Sequence, residues 1–345
     1  MTFRRYRCVF AVAWVLLMPF TAAQAATLRP DAPASYTVAE GDTLWSVAGR
    51  FLTHPWQWPE VWQSNPAIAD PDRIYPGDRL LLTHDASGPH VRLERGGAHV
   101  VKLSPQMRTL PSHDAIATIE RSAIAAFLEA HRVVDPGTLD AVPHVVAGDE
   151  GRLINAAGDR IFVSGALPPA SRHFAVYRPG EVYRGQDGAL LGQALVALGE
   201  ARLEKPGVPL AALRLTRVSR EVEAGALVLA QDDGAVEPGF VPQPVDSVVS
   251  GHILATPDET RVIGARAIVV LDLGRRDGLA PGHVLGVQRQ GEKVQDPLTD
   301  KVYRLPDEEA GTLMVFRCFD RVSYALVMRA DTPLAIGDRV GAPAP

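Results

Sequence analysis

Tyr36-Thr37-Val38-Ala39-Glu40-Gly41-Asp42-Thr43-Leu44-Trp45-Ser46-Val47-Ala48, answered further on by Asn65-Pro66 and by Ile74-Tyr75-Pro76-Gly77-Asp78-Arg79-Leu80, is the most densely patterned part of the chain. Tyr36 and Val38 alternate with Thr37, as in a half-buried strand. Gly41 permits a tight turn, and Asp42 or Thr43 can cap a following helix. Leu44, Val47, Ala48 and Phe51 recur at helical spacing and form one apolar face. Trp45 lies off that stripe and is expected to be more exposed than Leu44 or Val47. A second helix is expected to start at Pro59, whose fixed φ and missing N–H suit a first helical position, with Trp58, Val61 and Trp62 facing inward. Asn65-Pro66 ends it, because the residue before a proline disfavours helix. Pro76-Gly77 marks a turn, and Leu80-Leu81-Leu82 a second strand. A unit of about 50 residues is near the lower limit for a self-sufficient core. Four of the five tryptophans lie here and supply large buried area.

Residues 35–83 resemble a LysM module, a small α+β domain of βααβ order that binds glycans containing N-acetylglucosamine, such as peptidoglycan. The resemblance implies a groove between the turn at 41–44 and the loop at 65–75. It implies glycan contacts from Gly41, Asp42, Thr43, Leu44, Asn65, Pro66, Ile74 and Tyr75, with the backbone of residues 41–43 facing the acetamido groups. The chain departs from the family at Leu52-Thr53-His54-Pro55-Trp56-Gln57-Trp58-Pro59, an aromatic and proline-rich insertion. One reading makes it extra packing over the helix pair. The other makes Trp56 or Trp45 a stacking platform for a sugar or a partner.

The chain has 345 residues, enough for two or three domains, and its apolar and charged contents are those of a globular protein. Arg4, Arg5 and Arg7 precede a short apolar run, and small residues follow up to Ala23-Gln24-Ala25. This reads as a secretory signal peptide over residues 1–25. The alternative, a transmembrane helix, would need a run of roughly 20 apolar residues. No later stretch is long and apolar enough to span a membrane. Without residues 1–25, 32 Lys and Arg face 40 Asp and Glu, a net charge of −8. An acidic protein of this kind argues against nucleic acid as a partner and against a mainly electrostatic grip on anionic polymers. The expected location is the periplasm or the cell envelope outside it. Cys8 has no lipobox around it, and Cys318 is left alone in an alternating stretch, which reads as a buried structural thiol.

Beyond the module, residues 91–94 and 99–103 read as a hairpin, and Ile124, Phe127, Leu128 and His131 have helical spacing. Asp135-Pro136 can open a short turn. Residues 84–144 thus read as a connecting hairpin and helical segment. From residue 145 the pattern becomes short strands broken by Gly, Pro and Asp. Two mainly-β modules, 145–231 and 245–345, flank a proline-rich linker at 232–244.

The second β module reads as a copy of the first. Arg178-Pro179-Gly180-Glu181 returns 111 residues on as Arg289-Gln290-Gly291-Glu292, and Gly225 returns 112 residues on as Gly337. Gly151-Arg152-Leu153-Ile154 is set against Gly251-His252-Ile253-Leu254, 100 residues on. Gly180 and Gly291 are expected to open hairpins, followed by strands at 191–198 and 311–316, then 211–218 and 323–329. The same strand order, in a small barrel or sandwich, is expected of both. Residues 275–282, with Arg275 and Arg276, form a loop that the first copy lacks, and this loop is the expected new surface. Residues 262–340, through Gly274, Gly278, Gly282, Asp296-Pro297, Gly311 and Ser323, resemble the SH3-like β domains of flagellar and envelope assembly proteins. That resemblance transfers no binding residue.

Wall hydrolases leave recognisable spacings. The ten histidines are scattered, with no His-x-His and no His-Glu-x-x-His. No Ser-x-x-Lys, Gly-x-Ser-x-Gly or Ser-His-Gly-Cys motif occurs. No catalytic residue, metal or cofactor is therefore expected. The expected protein is a non-catalytic envelope protein that binds peptidoglycan through the LysM-like module, with the β modules as scaffold or docking sites for another envelope protein. The competing class is a peptidoglycan-remodelling hydrolase with an unrecognised catalytic domain in residues 145–345.

Overall fold

In a computed structural model, the structure describes residues 26–62, 74–85, 88–94, 118–119, 124, 127, 131–152, 154–231, 241–245, 248–257, 262–291 and 293–343. The N-terminal unit contains β1 (Ser35–Thr37), α1 (Leu44–Phe51), α2 (Trp58–Trp62), β2 (Arg79–Asp85) and β3 (Gly88–Glu94). Its sheet is antiparallel in the order β1-β2-β3. The expected strand at 91–94 exists, but as part of β3 against β2, where Val91 faces Leu82 and Leu93 faces Leu80. Residues 99–103, its expected partner, lie outside the described residues. Leu44, Val47, Ala48 and Phe51 enter the core with Trp58, Val61 and Trp62, so both helical faces are as their spacing predicts. The second helix starts at Trp58, one residue early, because Pro55 opens a 3₁₀ turn that Trp58 closes by donating to the Pro55 carbonyl.

Two β-barrels follow. The first is built from β5 (His144–Gly148), β6 (Arg160–Ser164), β7 (His173–Arg184), β8 (Leu190–Lys205), β9 (Leu210–Val218) and β10 (Leu227–Ala230). A preceding strand, β4 (His131–Val134), pairs with β8, so His131 belongs to a strand and not to the expected helix. Asp135 caps a 3₁₀ turn over Pro136–Ala141, as expected, its carboxylate accepting from Gly137 N at 3.0 Å. Antiparallel pairings close the ring in the order β5-β6-β9-β8-β7-β10 and back to β5.

The second barrel has β12 (Ser250–Ala255), β13 (Ile268–Leu271), β14 (His283–Arg289), β17 (Glu308–Cys318), β18 (Ser323–Ala330) and β19 (Arg339–Gly341). Its ring, β12-β13-β18-β17-β14-β19 and back to β12, has the same order and the same antiparallel sense. A short β11 (Gln243–Pro244) lies parallel to β14, and β15 (Lys293–Gln295) with β16 (Val302–Arg304) forms a separate hairpin.

Equivalent positions follow from register. Val176 faces Gly199 as Val287 faces Gly311, and Ala201 faces Leu215 as Leu313 faces Val327. Both barrels carry a bulge beside these pairs, at Glu200/Ala201 and at Thr312/Leu313. The interiors correspond too: Val145, Ile161 and Val176 in one are Ile253, Val269 and Val287 in the other.

One alignment and one hairpin read from the sequence are corrected. The counterpart of Ile253 is Val145, not Leu153: Val145 and Ile253 lie opposite the same place on the next strand, Val163 and Leu271, each beside a bulge. Gly151 ends a 3₁₀ turn with φ +73°, whereas Gly251 is inside β12. Gly180 does not open a hairpin. β7 runs through it with a bulge between Pro179 and Val182, and the turn comes at residues 185–189, where Gly185 N donates to the Ala189 carbonyl at 2.9 Å.

A further core lies outside the barrels. It joins Trp45 and Trp56 from the N-terminal unit, Ile119, Ile124 and Phe127 from the stretch after it, and Tyr183 and Ala194 from the first barrel. Their counterpart is the outer face of the second barrel, with Val270, Met314, Phe316, Tyr324 and Leu326. Arg317 donates to the Phe127 carbonyl at 2.9 Å, and Arg321 to the Leu190 carbonyl at 3.1 Å, across the same junction.

Candidate binding site

The two turns of the N-terminal unit are built alike. In Ala39-Glu40-Gly41-Asp42, Gly41 has φ +87°, Asp42 N donates to the Ala39 carbonyl at 3.2 Å, and the Asp42 carboxylate accepts from Ala39 N at 2.8 Å. In Tyr75-Pro76-Gly77-Asp78, Gly77 has φ +95°, and the equivalent distances are 3.0 and 3.1 Å. A positive φ at the third position is what a type II turn demands of its glycine. Val38 ties the two turns together, donating to the Asp78 carbonyl at 2.9 Å and accepting from Gly77 N at 2.8 Å. The halves of the sequence motif, far apart in the chain, thus sit side by side.

Asp42 does more than close its turn. Its carboxylate also accepts from the Tyr36 hydroxyl at 2.7 Å and from Ser46 Oγ at 3.3 Å. The Tyr36 phenol is pushed above its ordinary pKa, chiefly by burial and then by this bond to a carboxylate. The Arg50 guanidinium lies 4.3 Å from the Tyr36 ring centroid. Thr43 and Ser46 form a capping box: Ser46 N donates to Thr43 Oγ1 at 3.1 Å, and Thr43 N to Ser46 Oγ at 3.0 Å. Sequence reasoning missed Tyr36, Ser46 and Arg50 as supports of the turn. Their spacing from Asp42 was the available signal.

These bonds decide what the turn can offer a ligand. The N–H groups of Asp42 and Thr43 and the Asp42 carboxylate are engaged internally, which leaves the Gly41 amide and the Asp42 carbonyl without partners among the described residues. Leu44 and Ile74 are buried, so their side chains belong to the core. Tyr75 is exposed at the rim. Asn65 and Pro66 lie outside the described residues.

Trp45 is 9% exposed, against 3% for Leu44 and 1% for Val47, so the expected order holds and the contrast is small. The insertion folds back, as Trp56 lies 6.3 Å from Trp45 between ring centroids. Both indoles belong to the core shared with the second barrel, and Trp45 N donates to the Thr118 carbonyl at 3.3 Å. The insertion is packing, and neither ring is a free stacking platform.

Among the described residues, no group of three or more His, Cys, Asp or Glu could hold a metal ion, and no helix is long and apolar enough to cross a membrane. Residues 1–25, read as a signal peptide, lie outside the described residues.

The sequence family described as LysM domain matches residues 36–83. The uncharacterized protein YqbP of Bacillus subtilis (strain 168) is 37% identical over 66 residues, a match that covers 16% of this chain and 30% of YqbP. The chain therefore spans about a third of the length of that relative. The paired turns, the capped helix and the family match agree: residues 36–83 are a LysM domain.

Proposed function

We propose that this is a non-catalytic cell-envelope protein that holds peptidoglycan through its LysM domain and uses its barrels, of the small SH3-like kind, as a scaffold for another envelope component. LysM domains bind peptidoglycan and are typical of extracytoplasmic proteins. The observation that carries the reading is the joining of the turns at 39–42 and 75–78 through Val38, which sets the Gly41 amide and the Tyr75 ring at one end of the domain. An amide, a carbonyl and an aromatic edge suit an N-acetyl sugar, which offers an acetamido group and an apolar face. The non-catalytic half of the proposal rests on the missing hydrolase spacings and on Cys318. That thiol is buried and pushed up to about 12 by desolvation, the opposite of what a nucleophile needs.

The test is co-sedimentation of the full chain with purified sacculi, with muropeptide release followed in the same tubes. The full chain is used because Trp45 and Trp56 are packed on the second barrel. Gly41→Val meets open space but places a β-branched residue at φ +87°, so it should weaken binding by straining the turn. A wild-type chain that stays in the supernatant would refute the binding half, and released muropeptides the non-catalytic half.

A further inference from the structure

Between the barrels lies an open cleft of about 150 Å³. On its apolar side are Val133 and Leu191 of the first barrel's edge and Phe319 and Val322 of the second barrel. Arg275, Arg276 and Arg321, all exposed, supply the cationic side. The two acids in the lining are partly committed. Asp320 pairs with Arg276 at 3.1 Å, and Asp135 accepts from Gly137 N. Arg321 reaches the Leu190 carbonyl. Arg275 is held by its backbone, which donates to the Phe319 carbonyl at 2.8 Å, and its guanidinium has no ion pair among the described residues.

This arrangement belongs to the second barrel alone. The connection from β13 to β14, residues 272–282, is longer than its counterpart at 165–172 and adds the Arg275–Asp277 turn. Gly274 sits so close to the backbone of Asp320 and Arg321 that a β-carbon there would meet it, so the loop is pressed onto the β17–β18 turn. The backbone that carries Arg275 and Arg276 is therefore held in place before any ligand arrives, so that only their side chains are left to order on binding.

We propose that the cleft binds the peptide stem of the same wall polymer whose sugars the LysM domain takes; this inference rests on the function proposed above. The stem is a short peptide of small apolar and carboxylate-bearing residues. One carboxylate would take the Arg275 guanidinium, and the adjoining aliphatic part would lie on Val133 and Leu191, the half-buried apolar residues of the lining. The size of the cleft suits a single residue. A long polyanion is disfavoured because the chain carries a net charge of −5, so only a local contact gains from these arginines. The LysM domain and the cleft are packed on the same second barrel, so one body presents both sites to one polymer.

The test uses calorimetric titration of the full chain with two separate probes, a sugar-free stem tetrapeptide and an oligomer of N-acetylglucosamine. The tetrapeptide should bind, Arg275→Glu should weaken it by about tenfold or more, and the sugar oligomer should bind both forms equally. Arg275→Lys, which keeps the charge and loses the planar fork, should fall between. A tetrapeptide that does not bind, or binds Arg275→Glu unchanged, overturns this inference and leaves the LysM reading standing if the sugar oligomer still binds. Failure of the sugar oligomer overturns both. Equal binding of an all-L acidic tetrapeptide would give the cleft to protein termini instead and would also overturn the assignment.

Discussion

Phe316 stands in β17 where Glu204 stands in β8. The same register relates Ile268 to Arg160 and Leu326 to Arg214. In the first barrel these positions form an exposed ion cluster, with Arg160 Nε 3.0 Å from Glu204 and Arg214 on the other carboxylate oxygen. In the second barrel they are apolar and buried in the core that also takes in the tryptophans Trp45 and Trp56 and Tyr183. One barrel face is thus finished for water and its equivalent for contact.

Phe316→Ala should lower the unfolding free energy by about 3–5 kcal/mol, the cost of emptying a large core site. Because Phe316 lines the core shared by all three units, the loss should appear in urea titrations as a LysM tryptophan signal that melts early. Glu204→Ala, on the exposed face, should cost far less. Equal effects at both positions would mean that the shared core contributes little.

Gly311 packs against the Arg329 carbonyl and Gly199 against that of Arg217, each too closely for a β-carbon. Gly311→Ala and Gly199→Ala should each destabilise by about 1–3 kcal/mol, since backbone must move. Gly264→Ala, in open space and without a positive φ, is the control and should be near neutral or slightly stabilising. Thermal melts of the three variants decide it.

Asp42→Ala removes the acceptor of three donors, Tyr36 Oη, Ala39 N and Ser46 Oγ. It should cost about 1–2 kcal/mol and reduce sacculus binding by loosening the Gly41 turn. Full retention of binding would separate the turn from the ligand site.

Cys318 gives a pH signature. Its folded pKa, about 12, is above the ordinary thiol value, so stability linked to it is complete below pH 9 and is lost as pH rises from about 9 to 12. The unfolded chain releases the proton first across that window. Stability measured at pH 8 and pH 10 should therefore fall more for the wild type than for Cys318→Ala. Iodoacetamide should label the native protein slowly and the urea-unfolded protein quickly.

The LysM half of the fold was legible because its determinants are local. Gly41 and Gly77 mark the turns, and four apolar residues within two helical turns mark the buried face. The burial of Trp45 was not legible, since the core it joins includes residues far along the chain, such as Phe316 and Tyr324. Barrel order could be read from the recurring glycines, and so could the match of 211–218 to 323–329, but the register of the strand between them could not. The strand at 191–198 was set against 311–316, whereas Gly199 is the counterpart of Gly311. Alternation repeats every two residues, so an even slip keeps the same face inward, and the bulges that fix the register leave no mark on the pattern. In the site, the LysM resemblance concerned the backbone of residues 41–43; the role of the Asp42 carboxylate, which holds the turn, was not legible because its donors Tyr36 and Ala39 carry no motif of their own. The same four-residue turn recurs in the barrels at Ala156-Ala157-Gly158-Asp159 and Ala335-Ile336-Gly337-Asp338.

The core shared by Trp45, Trp56, Tyr183 and Phe316 has a mechanical consequence. A tug on either barrel reaches the Gly41 turn through packed side chains instead of taking up slack in a tether. On the function proposed above, strain on a glycan held at the LysM domain would be handed on to the barrels with its direction preserved. Cutting the chain between the LysM domain and β4 should then leave the pieces attached until the aromatic contact itself gives way.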